Sequence, residues 1–582
     1  MHTTSSVFLR TLEQAGITHA FVNWGSDHPA LLEDLERQRT ETGKTGLQII
    51  TCPNEMVALS AAQGFAQACG RPAAVLVHVD VGTQALAGAV HNADRCRVPI
   101  LIYAGASPFT TDGELKGSRN EWIMWLQDVH DQSAIVRQYM RYTCQINSGR
   151  NVSQVVLRGL QSALSEPKGP VYLWARREVM EEELSEDLAT ASIDVTTWAP
   201  VEPVAISKSA TNTIASDLLS ADRPLIITSY LGRNTAAVQK LVELSERLAI
   251  PVLVSCPTRV NLPHSHPNFV ELTFGMTPSH WLREADTILV IDSDIPYIPM
   301  RNKPRPDAKV FHIDVDVLKD NIGMFHINAQ LRCKADAQLA LTQILDHIPD
   351  DVASNTRIST RAQELREVSA QRIVNLHSLE AAMPTDGSFT VPNILRVLRT
   401  SIPVPERTLF LNESISNYPL VWDHLQPDLP GSMFSSGSSS LGWGLGASIG
   451  ASLARNDLDL IVLVVGDGSF LFGVPASAFW IARKYKTPFL TVILNNGGWK
   501  SPKLSMLGVY PQGLGSKVSG NQLTVGFGPD PPDHSQVAVA AGGAWGKRVT
   551  LASELEASMK EAVDAVRNEG RCAVLDCVIE SI

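Results

Sequence analysis

The chain has 582 residues, 44% of them hydrophobic and 19% charged, with a formal net charge of −11. That length calls for about three to four domains, and an acidic balance without a basic cluster argues against a nucleic-acid partner. No apolar run reaches the roughly 18 residues of a membrane span, and no signal-peptide pattern or C-terminal retention sequence is legible. The eight cysteines are scattered without a CxxC pair, which fits reduced thiols better than disulfides or zinc. A cytoplasmic protein is the expectation.

Residues 1–190 read as a first α/β domain. A helix, a glycine turn and a strand lead into the polar loop Asn23-Trp24-Gly25-Ser26. A strand at 47–51 runs into Cys52-Pro53-Asn54-Glu55, which opens a helix rich in alanine and glycine, so that something must pack closely on it. Strands at 73–79 and 98–105 follow, and the alternation with helices predicts a doubly wound parallel sheet. Glu55 lies in the first turn of its helix, where an acid is ordinarily a partner of the helix dipole. A buried strand runs straight into it and a small-residue helix follows, which weighs against that plain reading.

Residues 191–360 read as a second, Rossmann-like domain with four strand-plus-turn segments after a proline-containing linker. It has no GxGxxG, so a structural role is favoured over FAD or coenzyme A binding. His264 and His266 lie in a loop that could reach an active site, though loop surface histidines are the plainer reading. Residues 361–582 form the third domain, beginning with a charged helical connector. A strand at 408–417 ends in hydroxyl- and amide-rich residues, and a Gly/Ser loop from 433 runs into a small-residue helix.

The stretch 462–499 organises this third domain: a strand, Gly466-Asp467-Gly468, a helix, a strand, then Asn495-Asn496-Gly497-Gly498. In a right-handed βαβ unit both turns emerge at the carboxyl edge of one sheet, so Asp467 and Asn496 are expected to meet. A carboxylate, an amide oxygen and a carbonyl suit Mg²⁺ when phosphate oxygens complete the octahedron. Gly468-Ser469 would offer N–H donors to an anion. The long Gly/Pro-rich stretch after Gly498 reads as a lid or substrate-facing segment.

GDG followed by 26 residues and NN resembles the cofactor signature of thiamine diphosphate (ThDP) enzymes, about two residues longer than usual near 473–475. The resemblance implies that Asp467, the Asn496 side chain and the Gly498 carbonyl bind Mg²⁺. It adds Gly466, Gly468, Ser469 and Trp499 to the cofactor site. Ser414 and Ser416 would lie near the diphosphate, Leu441 would wedge the cofactor into its bent shape, and a carbonyl near Ser439 would hold its 4′-amino group. Glu55 matches the glutamate that hydrogen-bonds the aminopyrimidine, and Gly82 with Thr83 matches the loop that contacts that ring. Ser26 falls where the benzoylformate decarboxylase branch places a carboxylate-binding serine, a plain loop hydroxyl being the alternative. His78 falls where that branch keeps a proton-transferring histidine, the alternative being a satisfied histidine at a strand end. The adjacent histidine pair of pyruvate decarboxylases is missing, and Ser501-Pro502 stands where those enzymes carry a glutamate.

Extended over the chain, the resemblance implies three doubly wound α/β domains, with ThDP between the first domain of one subunit and the third of another. A homodimer would be the minimum, and a homotetramer is common in that family. The implied substrate is a small 2-oxo acid or related carbonyl donor, in a decarboxylase or carboligase nearest benzoylformate decarboxylase. Acetolactate synthase-like carboligases and 2-hydroxyacyl-CoA or hydroxyketone lyases are the alternatives. A non-catalytic regulatory subunit of this fold is disfavoured, because Glu55, Asp467 and Asn496 are all present. Trp24, Trp443 and Trp499 suggest a bulky apolar substrate.

Overall fold

The computed structural model describes residues 2–324 and 327–582. Three six-stranded parallel sheets follow one another along the chain, each flanked by helices. The first contains β1 (His19–Val22), β2 (Gln48–Thr51), β3 (Ala73–Val77), β4 (Ile100–Ala106), β5 (Tyr142–Ile146) and β6 (Pro170–Arg176). The second contains β7 (Pro224–Thr228), β8 (Val252–Ser255), β9 (Phe269–Thr273), β10 (Thr287–Ile291), β11 (Lys309–Asp314) and β12 (Leu331–Lys334). The third contains β13 (Thr408–Glu413), β14 (Met433–Ser435), β15 (Leu460–Gly466), β16 (Leu490–Asn495), β17 (Trp545–Val549) and β18 (Ala573–Val578).

In space the orders are β2-β1-β3-β4-β6-β5, β9-β8-β7-β10-β11-β12 and β14-β13-β15-β16-β18-β17. The outer two sheets thus repeat one topology, and the middle sheet has the strand order of dinucleotide-binding folds. Central strands such as β3 and β15 are nearly continuous apolar runs because helices cover both faces. Four of the middle strands follow the expectation. The two edge strands β9 and β12 add to it; their half-buried Glu271 and exposed Arg332 and Lys334 hide the apolar pattern.

The helix starting at Glu55, α1 (Glu55–Cys69), packs on α2 (Trp443–Ala454) of the third domain. A Cβ on Gly64 would lie 2.2 Å from the Ala447 carbonyl oxygen, and one on Gly450 only 1.8 Å from that of Ala61. The two backbones are in contact, which explains the small residues on both helices. One hydrophobic core, with Phe65, Leu445, Leu463 and Phe479, runs through the first and third domains.

The middle domain is tied on differently. Arg97 of the first domain reaches Asp294 at 2.9 Å and lies 4.3 Å over the Tyr230 ring. Lys319, fully buried, sits 2.7 Å from Asp294 and donates to the Tyr230 hydroxyl at 2.7 Å. This cluster lies just past β7 and β10, where the strand order reverses. His264 is buried, not on the surface: its Nε2 accepts from Arg372 at 2.9 Å and lies 3.4 Å from Asp423. His266 pairs with Glu246 at 3.2 Å.

Two local expectations are corrected. The helix after Gly466 is two helices, α3 (Asp467–Phe472) and α4 (Pro475–Tyr485), broken where Val474 takes φ +50° ahead of Pro475. The stretch after Gly498 is not all loop, since Lys500–Val509 is helical. All eight cysteines are free, and no helix among the described residues is long and apolar enough to cross a membrane.

Candidate active site

The third sheet brings three turns to one edge. Glu413 stands opposite Val465 and Gly466 opposite Leu494, so the turns after β13, β15 and β16 leave the sheet at one level. Asp467 begins α3 and is buried. Its Oδ2 and the Asn496 Oδ1 both accept the Gly498 N–H, at 2.9 and 3.3 Å, so a carboxylate and an amide oxygen converge on one amide. The other Asp467 oxygen accepts from Gly468 N at 2.9 Å. Gly498 lies opposite Gly526 at a non-hydrogen-bonded position, which leaves its carbonyl without a ladder partner. A side chain there would collide with the Val525 carbonyl oxygen, 2.3 Å from its Cβ position, so only glycine fits. The Trp499 ring covers Gly468, whose Cβ position is 2.2 Å from it. Ser469 is buried in the first turn of α3, Ser414 donates to Asn412 Oδ1 at 2.7 Å, and Ser416 is half-buried on the adjoining turn.

This donor set fits a hard divalent cation. It is all oxygen, and burial pushes the Asp467 carboxyl up to about 6 against the backbone N–H bonds that hold it down. No cationic side chain pairs with Asp467 among the described residues, so a cation would offset that desolvation.

The first sheet assembles a second set. Asn54 caps α1 through Val57 N, which fixes Glu55 in the first turn at the carboxyl end of β2. Asn23, from the neighbouring β1 turn, donates to Glu55 Oε1 at 2.9 Å. The turn after β3 carries His78 and Gly82; Gly82 N donates to the His78 carbonyl at 2.7 Å, and its Cβ position is 3.5 Å from Glu55 Oε1. The His78 ring packs on Gly25, whose Cβ position is 2.0 Å from Nδ1. Ser26 lies in that loop, its carbonyl held by Arg177 at 3.0 Å. Glu55 is half-buried within one protomer.

Ser439 and Leu441 lie on the turn that enters α2. Asn92 clips this turn to the first domain by donating to the Ser440 carbonyl at 2.9 Å and accepting from Ser440 N at 3.2 Å. His91 bonds Ser438 Oγ, which gives this histidine a structural partner. Ser439 is exposed and Leu441 half-buried, followed by Gly442 at φ +90°. The helix has no side-chain cap of its own. Glu413, fully buried at the end of β13, accepts from the N–H groups of Gly442, Trp443 and Gly444 at 2.6, 3.1 and 2.6 Å. Burial pushes the Glu413 carboxyl up to about 7 despite those three bonds.

The expected residues therefore fall into two sets, Ser26, Glu55, His78 and Gly82 on one sheet edge and the Ser414 to Trp499 set on another. No hydrogen bond or ion pair among the described residues joins them within a protomer. The expected aromatic set is corrected: Trp443 is fully buried in the shared core, and Trp24 packs on the core of the first domain. Sequence reasoning missed Glu413 and the Asn23–Glu55 bond. A helix opening on Gly442 with no Ser, Thr, Asp or Asn beside it signals that a cap must come from elsewhere.

Three family profiles match the chain. They are the N-terminal TPP binding domain of thiamine pyrophosphate enzymes over residues 2–135, the central domain over 211–344 and the C-terminal TPP binding domain over 415–577. The chain is 25% identical over 518 residues to a benzoylformate decarboxylase of Pseudomonas aeruginosa, covering 85% of this chain and 86% of that one. It is 24% identical over 500 residues to a 2-hydroxyacyl-CoA lyase of Arabidopsis thaliana, covering 84% and 82%. It is also 21% identical over 519 residues to an acetolactate synthase of Arthrospira platensis, covering 85% and 82%. In structure it resembles the thiamine diphosphate-dependent 4-hydroxybenzoylformate decarboxylase of Rhodococcus jostii RHA1, with a TM-score of 0.77, 20% identity and 100% of both chains covered.

Proposed function

Because this chain belongs to the thiamine pyrophosphate enzyme family, we propose that it is a ThDP- and Mg²⁺-dependent decarboxylase or carboligase acting on a small 2-oxo acid of the benzoylformate type. The observation that carries the reading is the pair of oxygens, Asp467 Oδ2 and Asn496 Oδ1, converging on Gly498 N at one sheet edge. Its complement is Glu55, oriented by Asn23 at the matching edge of the other sheet. The benzoylformate-type donor is favoured by the likeness to benzoylformate decarboxylase and by Ser26 and His78 sharing one turn cluster with Glu55.

In this reading Asp467, Asn496 and the Gly498 carbonyl hold Mg²⁺, and Ser414, Ser416, Gly466, Gly468, Ser469 and Trp499 border the diphosphate. Ser439, Leu441 and Gly82 border the rest of the cofactor. The cofactor supplies an acceptor for the electron pair released when a C–C bond beside a carbonyl breaks. Glu55 would be the residue that hydrogen-bonds the aminopyrimidine and moves a proton there, and the Asn23 bond to Oε1 orients its carboxylate. Ser26 donates to the substrate carboxylate, and His78 moves a proton close by. No hydrogen bond or ion pair among the described residues links the two sets within a protomer, which supports a second copy completing each site, with a homodimer as the minimum unit and a homotetramer as the larger assembly. Eight free cysteines suit a reducing, cytoplasmic setting. Consumption of a 2-oxo acid that requires both ThDP and Mg²⁺ tests the proposal.

A further inference from the structure

Beside the residues assigned above lies a carboxylate with no role in them. Asp27, 3% exposed, bonds His78 Nδ1 through Oδ1 and accepts from Val79 N at 3.2 Å through Oδ2. The side chain is closely fitted against β4: a Cβ on Gly105 would lie 1.6 Å from Asp27 Oδ2. The adjacent His28 does not neutralise it. His28 Nδ1 accepts the Gly25 N–H at 3.1 Å, which fixes the neutral tautomer.

His78 is bonded on both sides. Nδ1 faces the Asp27 carboxylate, and Nε2 lies 3.2 Å from Gln127 Oε1, an arrangement that suits a ring protonated at both nitrogens. We propose that Asp27 is a positioning residue that keeps His78 as an imidazolium, so that His78 serves the reaction as a cation and proton donor and not as a base. This rests on the reading of the surrounding cluster as a 2-oxo acid site. There, the Nε2 proton is the one available for transfer, the Nδ1 proton stays on the Asp27 bond, and the neutral ring left after transfer regains its Nε2 proton from solvent.

The electrostatics agree. Burial alone would lower His78, but the Asp27 hydrogen bond and charge, with Gln127 and the Asp80 charge, hold it above the ordinary histidine range. Burial alone would raise Asp27, while the His78 bond and charge and the Val79 N–H act to lower it; a charge on His28 would lower it further, but burial holds that ring below the ordinary histidine range. Tyr103 and Tyr172 also face Asp27, and burial, the main cause, holds both protonated above their usual range.

The experiment is a pH titration of ¹³C-labelled histidine signals in the full chain, with His78 identified by the signal lost in His78→Gln. A His78 signal still protonated above the ordinary histidine range is the expected result, and one titrating in or below that range overturns the proposal. In Asp27→Asn the midpoint should move down. The alkaline limb of kcat should move to lower pH with it, and kcat should fall about tenfold or more with KM changed less. An unmoved midpoint in a folded Asp27→Asn also overturns the proposal. If that variant does not fold, the titration of the unaltered protein decides alone. The titration needs no turnover, so failure to consume any 2-oxo acid would count against the activity and not against the Asp27–His78 pair.

Discussion

Asn23 Nδ2 and Glu55 Oε1 lie 2.9 Å apart, brought together from the turns of two adjacent strands. This bond leaves Glu55 one oriented oxygen for proton exchange. Glu55→Gln keeps the side chain's shape and removes the exchangeable proton. Turnover should fall about 100-fold or more, while ThDP affinity measured by calorimetry changes only a few-fold. Near-normal turnover would remove Glu55 from its assigned role.

Asp467 gives a pH dependence whose sign is fixed. Its carboxyl, ordinarily at 3.8, is pushed up to about 6 in the fold, so the folded chain binds a proton that the unfolded chain has released between those values. Metal-free stability should therefore fall as pH rises from about 4 to 6, by about 3 kcal/mol. Denaturant unfolding of the protein and of Asp467→Asn should differ by that slope, the raised Glu413 carboxyl contributing to both, and saturating Mg²⁺ with ThDP should remove the difference. Asp467→Ala should also weaken Mg²⁺ and ThDP binding together. Unchanged binding would sink the metal assignment.

Glu413 caps α2 with both carboxylate oxygens. Glu413→Gln turns one of them into an NH₂ group facing a backbone donor. The loss should be about 1–3 kcal/mol in chemical denaturation, with the turn bearing Ser439 and Leu441 loosened in hydrogen exchange. A variant as stable as the parent would show that the three bonds contribute nothing net.

The contact of α1 with α2 predicts a steric effect at Gly450, whose Cβ position is 1.8 Å from the Ala61 carbonyl oxygen. Gly450→Val should destabilise by more than about 3 kcal/mol and uncouple the first and third domains in thermal unfolding. Parental stability would show that the helices can separate without cost.

Much of this was legible in the sequence because its signals are local. The apolar runs ending at Gly466-Asp467-Gly468 and at Asn495-Asn496 place both turns on one sheet edge by strand periodicity and βαβ handedness alone. The small residues of the helix after Glu55 announce a close partner, and α2 is that partner. What was hidden is long-range. Glu413 caps a helix 29 residues on, Asp27 meets His78 across 51, and neither pairing leaves a periodic trace. The break at Val474 was masked by an apolar pattern that continues through it, and the middle sheet's edge strands by their polar outward residues.

The central claim is tested most directly by offering the protein a panel of aliphatic and aromatic 2-oxo acids with ThDP and Mg²⁺, following CO₂ release and products. CO₂ release from an aromatic 2-oxo acid, lost when either cofactor is withheld, is the expected result. Tight ThDP binding with no turnover of any 2-oxo acid would contradict it, and would direct the site to acyl-CoA or hydroxyketone cleavage instead.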